Sequence, residues 1–164
     1  MKRTDKRMTN SGLKEEEHCA GEVFIKAYNK RHGTDYGLQP NTVAEDTYPD
    51  LIFLSSAGKK LEVEVTEAVT SEEEEKTISK SLKESSTAWI TGDTPGEEII
   101  FHALEKKRRK DYANSEQLIL AVYRFRPIAL PRNFKVPENI NVPFKEVWFV
   151  DPRQKHRSAM RIYP

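Results

Sequence analysis

A chain of 164 residues is long enough for one average domain of roughly 150 residues with a core of sheet and helices. The single cysteine, Cys19, excludes an internal disulfide and a thiolate zinc site, and a net charge of +1 argues against holding nucleic acid by bulk electrostatics alone. No apolar run nears the roughly 18 to 20 residues that span a bilayer, and the opening MKRTDKRMTN lacks a signal's apolar segment, so the expectation is a cytoplasmic protein that meets no membrane.

Residues 1–10 are polar and basic and read as a flexible tail, leaving 11–164 as a single α/β domain. From Leu13 to about Arg31, apolar residues at Leu13, Ala20, Phe24, Ala27 and Tyr28 mark one helix face, capped by Asn10 or Ser11 and stopped by Gly33. Gly37, Pro40 and Asn41 then break the pattern, with room for a short strand. TYPDLIFL (47–54) and KLEVEVTEA (60–68) are β-prone runs joined by SSAGK, whose Gly58 supplies a turn, so a hairpin is predicted. In its second run Leu61, Val63 and Val65 fall on one face, and Glu62, Glu64 and Thr66 on the other.

Ser71 and Glu74 have capping-box spacing ahead of a thin apolar stripe, which predicts a surface helix over about 72–85 that includes the run Glu72 to Glu75. Thr94, Pro95 and Glu97 start a longer helix whose stripe is Ile99, Ile100, Ala103, Leu104 and Lys107, closed by Tyr112 and Asn114. QLILAVYR (117–124) is apolar on both faces and reads as a buried strand. Pro127, Pro131, Pro137 and Pro143 exclude regular structure up to about residue 144. KEVWFV (145–150) is another strand, and residues 159–163 add a last one.

The charges are segregated: acids crowd Glu62, Glu64 and Glu67, whereas bases crowd Lys106, Lys107, Arg108, Arg109 and Lys110 and recur at Arg153, Lys155, Arg157 and Arg161. Crowded carboxylates repel unless a cation or a proton lies between them. Across the hairpin ladder Asp50, Glu62 and Glu64 come within roughly 5 Å at Cβ if the register allows, and a hard divalent ion prefers such an oxygen set. A hairpin with a solvated acidic side needs no metal and is the alternative. His18, His32, His102 and His156 have no metal-like spacing, and there is no glycine-rich phosphate loop.

Pro49-Asp50, eleven intervening residues and then Glu62-Val63-Glu64 resemble the signature of the PD-(D/E)XK nuclease superfamily. The element order is similar to that superfamily's restriction-endonuclease-like αβββαβ core, a mixed central sheet flanked by helices. The resemblance covers roughly residues 13–124. It implies Mg²⁺- or Mn²⁺-dependent hydrolysis of phosphodiester bonds, in DNA more than RNA, with Asp50, Glu62 and Glu64 catalytic and metal-holding. It implies a further metal-holding glutamate from the first helix, Glu17 or its neighbour Glu16, and allows a homodimer. The sequence departs where the motif has lysine: Glu64 stands there, or Thr66 if Glu64 is the motif acid. Lys107 is the candidate for that amine or for a phosphate contact, and residues 106–110 are the candidate strand-backbone contacts. The alternative is a silent relative that binds nucleic acid or protein.

Overall fold

The computed structural model describes residues 5–38, 49–69, 95–112, 114–126 and 128–164. The predicted helix over 72–85 lies outside them, as do Pro40, Asn41 and Thr47. In chain order the elements are helix α1 (Asp5–His32), strands β1 (Gly37–Leu38), β2 (Leu51–Leu54) and β3 (Lys60–Glu67), helix α2 (Gly96–Arg108), a short 3₁₀ turn (Ser115–Gln117), and strands β4 (Ile119–Tyr123), β5 (Glu146–Asp151) and β6 (Ser158–Tyr163). The six strands form one mixed sheet in the order β1-β2-β3-β4-β5-β6. β3, β4 and β5 run parallel, and the other pairings are antiparallel.

Helix α1 starts at Asp5 rather than after a cap at Asn10 or Ser11. Residues 5–10 hold Lys, Arg and Met, which extend a nucleated helix at little cost, and neither proline nor glycine interrupts them. The helix buries Ala20, Val23, Phe24 and Tyr28 against one sheet face, where they meet Phe53, Val63, Val65, Ala121 and Trp148. A fully buried side chain of this kind stabilises by about 1.5–3 kcal/mol, so this layer is a major source of cohesion. Asn29 fixes the exit of α1: its side chain donates to the Tyr36 carbonyl and accepts from the Tyr36 N–H.

The other face is covered by α2, through Ile99, Ile100, Ala103 and Leu104, and by the proline-rich segment between β4 and β5. That segment is irregular, as its prolines require, yet it drives Phe134, Val136, Val142 and Phe144 into the core. The Val136 N–H donates to the Ile162 carbonyl of β6, which ties the segment down. Gly96 opens α2 because the helix touches the same segment there: a Cβ on Gly96 would lie 2.2 Å from the Ala129 carbonyl oxygen.

The hairpin β2–β3 forms as expected, with Gly58 at φ +76° in its turn. Its register sets Leu51 opposite Val63, which leaves Asp50 one residue before β2 rather than within it. Among the described residues no helix is long and apolar enough to cross a membrane.

Candidate functional site

Strand alternation turns Val63 and Val65 toward α1 and Glu64 toward α2. Glu64 is therefore not on a solvated acidic face; α2 covers it, and the residue is only 4% exposed. Burying a carboxylate requires compensation. Lys107, 7% exposed at the end of the apolar stripe of α2, places Nζ 2.7 Å from Glu64 Oε1. The Tyr112 hydroxyl, from the turn after α2, donates to the same oxygen at 3.0 Å.

Asp50 completes the cluster from the other side. Its Oδ2 accepts the Val65 N–H at 2.8 Å, a contact that holds the carboxyl beside the strand at the point where Glu64 leaves it. Burial, followed by the adjacent Glu64 carboxylate, pushes the Asp50 carboxyl above its ordinary range, while the Val65 N–H and Lys107 pull it down. Glu64 Oε2 is buried with no hydrogen-bond partner. Two carboxyl groups, one oxygen of them orphaned, thus share one ammonium.

The structure brings together Asp50, Glu64 and Lys107 out of the residues singled out in the sequence, and adds Tyr112, which no spacing rule connects with Glu64. Glu62 is elsewhere: it pairs with Lys60 of its own strand and is half-exposed, because the register sets it opposite Ile52, deeper into the hairpin. Glu17 and its neighbour Glu16 lie on α1, on the opposite face of the sheet, and act on the phenol of Tyr123, as do Glu67 and, from the cluster, Asp50. Burial raises the Tyr123 hydroxyl well above its usual range, the four carboxylates raise it further, and burial also raises the Glu16 carboxyl.

The basic run divides. Lys107 is turned inward and used by Glu64, whereas Lys106, Arg108, Arg109 and Lys110 are exposed. Arg108 and Arg109 both clasp Glu105, at 2.6 and 3.1 Å, the pairing expected three and four residues apart on a helix. Those two guanidiniums are therefore partly neutralised by their own helix. The buried Arg124, just past β4, donates to the Ala68 carbonyl at 2.6 Å and closes the exit of β3 beside the cluster.

Among the described residues no three His, Cys, Asp or Glu side chains are gathered as a complete metal-ligand set. Asp50 and Glu64 are the two carboxylates that could hold a divalent ion such as Mg²⁺, which takes one or two carboxylates and keeps several waters. The orphaned Glu64 Oε2 and the raised Asp50 carboxyl are what a cation between them would relieve. Comparison with protein-family models, curated proteins and solved structures finds no match for this chain.

Proposed function

We propose that the protein is a divalent-metal-dependent nuclease of the PD-(D/E)XK kind, with Asp50 and Glu64 as its acidic pair and Lys107 in place of the motif lysine. The observation that carries this reading is the meeting of Asp50, Glu64 and Lys107 at one point between β3 and α2. It favours Glu64 over Glu62 as the motif acid, leaving Thr66 at the motif's lysine position. The element order helix, hairpin, helix, parallel strand supports the restriction-endonuclease-like assignment.

Mg²⁺ or Mn²⁺ held by Asp50 and Glu64 would supply an acidified water and offset charge developing on the phosphorus oxygens. The chain's own residues do the rest. The Val65 N–H fixes the Asp50 carboxylate, and Tyr112 with Lys107 fixes that of Glu64. Lys107 adds a positive charge in a site shielded from water, where it acts on a phosphate more strongly than on the open surface. Lys106 and Lys110, exposed on either side of it, serve as backbone contacts that position a strand without reading its bases.

Purified protein is incubated with plasmid and with single-stranded DNA in Mg²⁺ or Mn²⁺, beside Asp50→Ala and Glu64→Gln. Cleavage by the native chain, abolished in both variants, is expected; cleavage that survives either substitution disposes of the site. A second reading, a silent nuclease-like binding module, is favoured by the ion pair itself, since Lys107 already neutralises Glu64. It predicts DNA binding with no cleavage under any metal.

A further inference from the structure

On the opposite side of the sheet from Lys107, the C-terminal half of α1 and the start of β6 enclose a groove of about 220 Å³. Lys26 and Lys30, one helical turn apart, supply one wall, and Arg157 with Ser158 supplies the other. All four are exposed, and among the described residues none of the three cations forms an ion pair. This contrasts with Arg108 and Arg109, which share Glu105 and are partly neutralised by it, and with Arg153, which is held by Asp151. One acid, Glu22, lines the end of the groove, so the lining keeps an excess of positive charge. Three cations drawn together from two elements with a single acid at the end of the groove repel one another, and an anion between them removes that cost.

We propose that this groove is a phosphate cradle for a nucleic-acid strand, with Lys26, Lys30 and Arg157 pairing with the backbone and the Ser158 hydroxyl donating to it. The volume is smaller than the roughly 300 Å³ from which small-molecule sites begin, so it suits an ionic group on a long partner rather than a whole ligand. Its position agrees with the nuclease reading, on which the choice of a nucleic acid over an acidic peptide rests. Ala159 in the groove pairs with Val150, Val150 with Tyr123 and Tyr123 with Glu67, one continuous rung of the sheet. Three strand spacings put the groove about 14 Å across the sheet from Glu67, which lies two residues beyond the Val65 that anchors Asp50. Glu67 and Ala159 thus lie at the same end of the sheet, over which a strand engaged at the carboxylates passes to reach the cradle on the other face.

The test is binding of a fluorescein-labelled single-stranded DNA oligonucleotide in EDTA, read by anisotropy over a salt series. Native protein is compared with a Lys26→Ala/Lys30→Ala/Arg157→Ala variant whose thermal midpoint is checked. The variant is expected to bind at least about tenfold more weakly at low salt, with a salt slope shallower by about 0.7 for each phosphate it no longer neutralises. Unchanged affinity and slope would overturn the proposal. So would a poly-glutamate peptide displacing the oligonucleotide as well as unlabelled DNA does, or inorganic phosphate binding as tightly as the oligonucleotide. Cleavage of plasmid by the native chain in Mg²⁺ or Mn²⁺ is scored alongside: groove-dependent binding by a native chain that never cleaves removes the nuclease reading alone, and cleavage with a groove-independent affinity removes the cradle alone.

Discussion

The ammonium of Lys107 lies 2.7 Å from Oε1 of Glu64, and both side chains are almost wholly withdrawn from water. A pair in this position joins α2 to β3, but its stabilising value depends on both partners being present. Taking either charge out of water costs several kcal/mol, and their attraction roughly offsets this.

Removing one partner should therefore cost far more than removing both. Lys107→Met is expected to lose about 3–5 kcal/mol in urea denaturation, because it leaves the Glu64 carboxylate beside Asp50 without its cation. Glu64→Gln/Lys107→Met should regain most of that loss. A double-variant loss equal to the sum of the losses in Lys107→Met and in Glu64→Gln would show that the two groups do not interact.

Asp50 gives a pH dependence whose sign is fixed. Its carboxyl is raised in the folded state by burial and by Glu64, so the folded chain holds this proton more tightly than the unfolded chain does. The resulting stability is fully present below the ordinary carboxyl value of about 3.9 and is lost as pH rises through the raised one. Asp50→Asn keeps an oxygen for the Val65 N–H and removes the repulsion. Its thermal midpoint should match that of the native chain near pH 3 and exceed it increasingly toward neutral pH. A constant difference across the range would refute this account of Asp50.

If a divalent ion relieves the same repulsion, it must also stabilise the fold by mass action. Mn²⁺ at about a hundred times its dissociation constant contributes about 2.7 kcal/mol, which for a chain of this size is roughly 5–10 °C in thermal midpoint. The shift is expected in the native protein and absent in Asp50→Ala. A shift of equal size in both would place the ion elsewhere.

The contact of Gly96 with Ala129 gives a test independent of the site. A methyl group at Gly96 would meet the Ala129 carbonyl oxygen at 2.2 Å, so backbone must move. Gly96→Ala should destabilise by about 1–3 kcal/mol in chemical denaturation despite alanine's better helix propensity. A neutral or stabilising result would mean that the proline-rich segment yields freely.

At the other end of the sheet, buried Glu146 accepts the Trp148 indole N–H at 2.7 Å and has His32 at 3.4 Å and Arg161 at 3.8 Å. The same carboxylate, after burial, helps push the nearby Tyr28 hydroxyl up to about 12. Glu146→Ala strands the indole and should cost about 1–3 kcal/mol, whereas Glu146→Gln, which keeps an acceptor, should cost less. Thermal unfolding of the two variants side by side decides it.

Local pattern alone determined the elements that bury a periodic face or end on a defined turn. The stripe from Ala20 to Tyr28, the alternation Leu61-Val63-Val65, the turn at Gly58 and the doubly apolar run 119–123 are properties of near neighbours in the chain, and the helices and strands there follow from them. The same pattern marked Asp50, Glu64 and Lys107 as candidates, with Glu62 as an equal alternative. Tertiary structure alone distinguished them. The register of β2 on β3 and the docking of α2 set Glu64 beneath Lys107 and Tyr112, and left Glu62 to Lys60. It also turned Phe134 and Val142 of an irregular segment into core, and opposed Lys26 and Lys30 to Arg157 across more than a hundred residues of chain. Periodicity records which way a side chain points from its own element; which groups it then faces depends on the packing of elements distant in sequence.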